Sequence, residues 1–190
     1  GSFYSEPIDD SAEVVYLSFR NTMSKAEYEK LIIDGVEYVE TNVPFYETLK
    51  GLTIKSIRRD VTPDRESYFD IGNNDNLVFE VEDGRLFILY HDQDCCESVS
   101  LEDVVGDLND LVGSPILEAE CVSNIPEQGW VEDADVQTEY EDSFTWTYYK
   151  FATIKGHVNL RWYGSSNGYY SESVQELVVK PLEVKPDVLT

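Results

Sequence analysis

The strongest constraint on how this chain folds lies between Leu77 and Tyr90. Leu77, Phe79 and Val81 alternate with Val78, Glu80 and Glu82, Asp83-Gly84 carries a two-residue turn signal, and Leu86-Phe87-Ile88-Leu89-Tyr90 returns as a second strand. A second antiparallel hairpin follows from Phe144, Trp146 and Tyr148 alternating with Thr145, Thr147 and Tyr149, a turn at Lys155-Gly156, and Val158, Leu160 and Trp162 on the return. Thr53–Ile57 and Ile116–Val122 read as further strands, Gly164–Gly168 as a turn, and Tyr169–Val179 as extended chain.

Helices are expected at two places. Ser24 and Glu27 have capping-box spacing, which starts a short helix over Lys25–Ile33 before Asp34-Gly35 turns the chain into a strand at Val36–Val39. Ser100 caps a second, in which Leu101, Val104, Val105, Leu108, Leu111 and Val112 make one apolar stripe and Glu102, Asp103, Asp107 and Asp110 face water. Pro44 and Gly51 bracket a possible helical turn, and Val14–Phe19 reads as a strand. The expected class is therefore α+β, a mainly antiparallel β-sheet with one or two packed helices. The organisation read from the pattern is an N-terminal strand–helix–strand extension over 1–50, a β-rich core over 51–180 and a tail over 181–190.

Charge narrows the function classes. The 190 residues carry a formal net charge of -24, and the 64 positions between Arg85 and Lys150 hold sixteen Asp and Glu but no Lys or Arg. A hydrophobic content of 42% argues against disorder despite that charge. Nucleic acid and anionic lipid both need Lys and Arg to meet them, so direct binding of either is not expected. No apolar run approaches the roughly 20 residues of a spanning helix, so a soluble, cytoplasmic protein is expected. Gly1-Ser2 reads as a cloning scar, which leaves a removed leader open. The three cysteines are an odd count, and Cys95 and Cys96 are neighbours whose side chains point apart in extended chain, so a reducing compartment is expected.

The strings Tyr90–Val99 (YHDQDCCESV), Glu102–Ile116 (EDVVGDLNDLVGSPI), Phe144–Tyr149 (FTWTYY) and Trp162–Val174 (WYGSSNGYYSESV) resemble an uncharacterised domain family of bacteriophage and bacterial proteins. The resemblance spans roughly Gly51 to Val174. It implies a phage or mobile-element context inside a bacterial cell, and no reaction or ligand.

Several side chains invite chemistry. His91, Cys95 and Cys96 are of metal-ligating type, but a structural zinc site wants four ligands, and only Cys121 and His157 remain to complete it. Packing of a cysteine in the core and a hydrogen-bonded His91 is the simpler reading, so no metal and no cofactor are expected. A cysteine nucleophile is disfavoured because Asp92, Asp94 and Glu97 oppose thiolate formation, and no catalytic residue is assigned. The same carboxylates match no calcium loop, and acids at a helix start are favourable in themselves.

The expected function is non-catalytic binding. In the leading version a phage-encoded acidic protein occludes a basic, nucleic-acid-binding surface of a host protein, its carboxylates imitating the phosphate line of DNA, where charges recur about every 1.7 Å. Glu132, Asp133, Asp135, Glu139, Glu141 and Asp142 of the acidic loop, with Glu102, Asp103, Asp107 and Asp110, would make that contact. The alternative is a pocket for a small, nucleotide-like ligand, or an enzyme. It would be built from His91, Gln93, Asp94, Cys95, Cys96 and Glu97 together with Tyr163, Asn167, Tyr169 and Tyr170 of the Tyr163–Ser173 turn and Arg161 adjacent to it.

Overall fold

The hairpin at Leu77–Tyr90 sits at the heart of the molecule, and the rest of the chain is arranged around its two faces. The computed structural model describes residues 29–72, 75–124 and 143–182. In chain order the strands are β1 (Lys30–Ile33), β2 (Val36–Glu40), β3 (Ile54–Arg59), β4 (Leu77–Val81), β5 (Leu86–Tyr90), β6 (Glu97–Val105), β7 (Glu118–Asn124), β8 (Ser143–Thr153), β9 (Gly156–Ser166) and β10 (Gln175–Pro181). One short helix, α1 (Phe45–Leu49), and one 3₁₀ turn at Leu108–Leu111 accompany them. A six-stranded sheet runs β1-β2-β10-β5-β4-β3 and a four-stranded sheet runs β6-β9-β8-β7. Every named strand pairing is antiparallel, which makes this an α+β fold dominated by antiparallel sheet.

Alternation along β4 and β5 explains the layering. Leu77, Phe79, Val81, Phe87 and Leu89 join Phe151, Leu160 and Trp162 in a core between the two sheets. Val78, Leu86, Ile88 and Tyr90 point the other way, into a second core with Leu31, Ile33, Val61, Ile71 and Val179. Both faces of β5 are covered, so all five of its residues are buried, and its sequence is an unbroken apolar run. Each large side chain enclosed here, such as Phe79 or Trp162, contributes roughly 1.5–3 kcal/mol by leaving water.

The segment after β3 closes the second core. Asp64 N–H donates to Ile32 O at 2.7 Å and Tyr68 N–H to Lys30 O at 2.7 Å, so this segment covers the free edge of β1. The Ser67 hydroxyl accepts from Ile32 N at 2.7 Å and donates to Ile32 O at 3.0 Å. Asn76, fully buried, ties the same segment to the start of β4.

Four expectations need correction. Lys30–Ile33 is a strand rather than the end of a helix, because Asp34 (φ 51°) and Gly35 (φ 81°) form a tight turn that joins two paired strands. Ser100 does not cap a helix: Glu97–Val105 is β6, paired along β9 from Ser166 to Asn159, and only Leu108–Leu111 is helical, as a 3₁₀ turn capped by Asp107. Glu102, Asp103, Asp107 and Asp110 therefore do not line one helix face. Gly164–Ser166 belong to β9, and the chain reverses after them. The Asp83-Gly84 hairpin forms with a longer loop, Glu82–Arg85, in which Asp83 holds the Arg85 guanidinium at 2.7 Å. The strand read at Val14–Phe19, the start of the helix at Lys25, and the acidic loop Glu127–Asp142 lie outside the described residues. Among the described residues no helix is long and apolar enough to cross a membrane.

Candidate functional site

Hairpin register builds the site. Leu77 pairs with Leu89, so the residues two steps beyond each, Asp75 and His91, flank the same end of β4 and β5. A cavity of about 390 Å³ opens there, lined by Asp70, Gly72 and Asp75 on one side and by His91, Gln93 and Ser98–Ser100 on the other. That volume lies within the ~300–1,000 Å³ usual for small-ligand sites.

His91 is the most constrained group in it. The residue is 6% exposed, and its Nδ1 lies 2.7 Å from the carbonyl oxygen of Ser173. A carbonyl only accepts, so Nδ1 carries a proton. Nε2 is buried and has no hydrogen-bond partner in the protein. The nearest charged group is Glu97 Oε1 at 3.8 Å, on a side chain that is 1% exposed and that also accepts the Asp94 N–H.

Polar and acidic groups make up the rest of the wall. Gln93 directs its amide N–H at Val99 O (3.3 Å). The Ser100 hydroxyl donates to Glu102 Oε2 at 2.6 Å and keeps its lone pairs. Burial, then the neighbouring Asp60 charge, pushes the Asp75 carboxyl up, against the pull of the Leu101 N–H. Burial, then the charge of Asp70, raises Asp92 as well. Carboxylates thus crowd this end of the hairpin.

Of the residues singled out from sequence, the structure places His91 and Gln93 in the cavity wall, with Glu97 beside His91 and Asp94 fastened to Glu97. Cys95 and Cys96 stand exposed on the same turn. Their sulfurs do not point apart: a bend puts Sγ against Sγ at 2.7 Å, with the Tyr170 hydroxyl within hydrogen-bond reach of Cys95. Of the Tyr163–Ser173 turn, Ser173 reaches His91 through its carbonyl, whereas the other residues singled out there, and Arg161 beside it, go elsewhere. Arg161 stacks over Trp146 at 5.0 Å and faces Asp103 at 4.0 Å, while Tyr163 packs on Trp146 with centroids 4.6 Å apart. Asn167 caps the Tyr169 N–H at 3.0 Å, and Tyr169 is 84% exposed. Glu172 braces the turn by accepting from Thr145 (2.7 Å) and Ser166 (2.6 Å).

Asp70, Asp75, Ser98 and Ser100 were not expected at the site. The signal was present in the Asp- and Asn-rich loop before β4, which antiparallel register sets beside His91. Cys121 lies half-buried on β7, and exposed His157 approaches Glu118 at 3.5 Å. Among the described residues no three His, Cys, Asp or Glu converge to hold a metal ion.

Residues 47–175 match the family model described as "Domain of unknown function (DUF7448)". The chain belongs to this family. The family's span takes in β3–β9 and both walls of the cavity, whereas β1, β2 and nearly all of β10 complete the six-stranded sheet from outside it. Comparison with curated proteins and with solved structures gave no match.

Proposed function

We propose that this DUF7448 domain is a non-catalytic binding module that takes a small, cationic, hydrogen-bond-donating ligand, an amine or guanidinium, in the His91 cavity. The observation that carries the reading is the acidic wall: Asp70 and Asp75 line it together with the polar side chains of Gln93 and Ser100, and no Lys or Arg is among the described residues that line it. A phosphate-bearing nucleotide would be repelled by Asp70 and Asp75. A charged donor would instead form the shorter, stronger class of hydrogen bond. The test is isothermal titration of the full chain with alkylguanidinium and alkyldiammonium salts, with a nucleoside monophosphate as control. Saturable binding of the cations alone is expected. Binding of the nucleotide in preference, or of neither, overturns the reading.

A second reading keeps the acidic surface as the contact. Glu102, Asp103 and Asp107 are exposed along β6 and the turn after it, at the edge of the four-stranded sheet. This supports, in the phage or bacterial cytoplasm that the string resemblance implies, occlusion of a basic surface on a host nucleic-acid-binding protein. Such association would weaken steeply with salt, which a pull-down from bacterial lysate at low and high ionic strength measures. Capture that is indifferent to salt speaks against it.

A further inference from the structure

Two adjacent residues in extended chain send their side chains to opposite faces. Cys95 and Cys96 do the reverse: both thiols are free and exposed, and their sulfurs touch at 2.7 Å across a bend. The bend is held from outside the pair, because the Asp94 N–H reaches over it to the carboxylate of Glu97. The Tyr170 hydroxyl lies within hydrogen-bond reach of Cys95. We infer that Cys95 and Cys96 form a reversible redox site that closes to a disulfide between neighbours when it meets a hydroperoxide, and that closure moves Glu97 relative to His91.

The step balances without any other reactant. One thiol, as thiolate, takes the terminal oxygen of the hydroperoxide; the O–O bond breaks, the alcohol leaves, and a sulfenic acid remains. The neighbouring sulfur then attacks the sulfenic sulfur, the S–O bond breaks, the S–S bond forms and water leaves. Each sulfur loses one electron, and the peroxide gains both. Contact at 2.7 Å stands close to the bond length of about 2.05 Å. The resolving thiol is already in place. Adjacent Cα atoms lie only about 3.8 Å apart, short of the ~4.4–6.8 Å that relaxed disulfides span, so the closed ring is strained and easily reduced. That suits a switch and not a permanent staple. The hydrogen bond with Cys95 raises the Cys96 thiol, so closure runs faster as pH rises.

Closure requires the Asp94–Glu97 turn to readjust, and Glu97 Oε1 is the group 3.8 Å from His91 Nε2. The coupling is independent of what the cavity binds. The experiment treats the full native chain with an alkyl hydroperoxide, then maps peptides by mass spectrometry and records the His91 imidazole signals by NMR. The peptide holding both cysteines is expected to lose two hydrogens within a single chain, to recover them with dithiothreitol, and to leave Cys121 free. Cys95→Ser and Cys96→Ser are each expected to stop at a sulfenic acid trapped by dimedone. Sulfinic or sulfonic acid as the main product, chain-to-chain dimers, or loss of two hydrogens in either single variant overturns the site. Unchanged His91 signals after closure overturn the coupling.

Discussion

Asn76 and Val61 pair as if both were backbone. The Val61 N–H donates to Asn76 Oδ1 at 2.8 Å, and Asn76 Nδ2 returns a hydrogen bond to Val61 O at 2.8 Å. The same amide reaches Ile71 O and Gly72 O, each at 3.2 Å. One side chain with no exposure therefore fixes the segment that covers the second core and carries Asp70 and Asp75 to the cavity.

Replacement of that amide strands several buried groups at once. Asn76→Ala is expected to cost about 2–4 kcal/mol, since each orphaned buried polar group costs ~1–3 kcal/mol. Urea denaturation measures the loss, and faster amide exchange over 61–72 than over β4 and β5 would localise it.

Gly164 has no room for a side chain. A Cβ there would run into the backbone carbonyl of Glu172, although its backbone lies in ordinary extended strand. Gly164→Ala should push β9 from the brace formed by Glu172, Thr145 and Ser166 and cost about 1–3 kcal/mol, the usual range for overpacking. Thermal unfolding at matched pH checks it, with Gly168→Ala, whose Cβ meets nothing, separating crowding from backbone strain.

A pH dependence follows from Glu176. Its carboxylate accepts from the Tyr46 hydroxyl and, at 3.1 Å, from the Tyr149 hydroxyl, and burial raises it above its ordinary value of 4.5. The native state thus binds this proton more tightly than the unfolded chain does. Its contribution to stability is greatest below the unfolded value and is lost as pH rises through the folded one. Glu176→Gln removes the titration, so the variant's stability relative to the parent should increase from acid to neutral pH. Urea midpoints measured across that interval give the sign directly.

Asp75 tests the cavity chemistry with little risk to the fold, because an amide oxygen can still accept the Leu101 N–H that the carboxylate now takes. Asp75→Asn is expected to weaken binding of an alkylguanidinium about tenfold, or ~1.4 kcal/mol, through loss of a charge-assisted contact. Calorimetric titration of both forms decides it; equal affinity would place the ligand elsewhere.

Both hairpins were legible because each sets a turn signal between two apolar-rich runs of strand length. β6 was not, and the reason is local. A register shift between Leu101 and Asp103 brings Leu101 and Val104 to the same face three residues apart, and the 3₁₀ turn adds Leu108 and Leu111 at the same interval. A bulged strand followed by a tight turn thus imitates the stripe of an α-helix. His91 and Gln93 were visible as unusual residues at a strand end. Asp70 and Asp75 became site residues only through the pairing of β4 with β5, a relation between distant positions.

The six-stranded sheet has a consequence for where this protein can be cut. β10 joins β5 to β2, and residues 47–175 alone would retain only its first position. Trimmed to that span, the chain would bare the backbone of Leu86–Tyr90, along with Ile88 and its apolar neighbours, and a fragment cut by homology would offer that bare edge to its own copies.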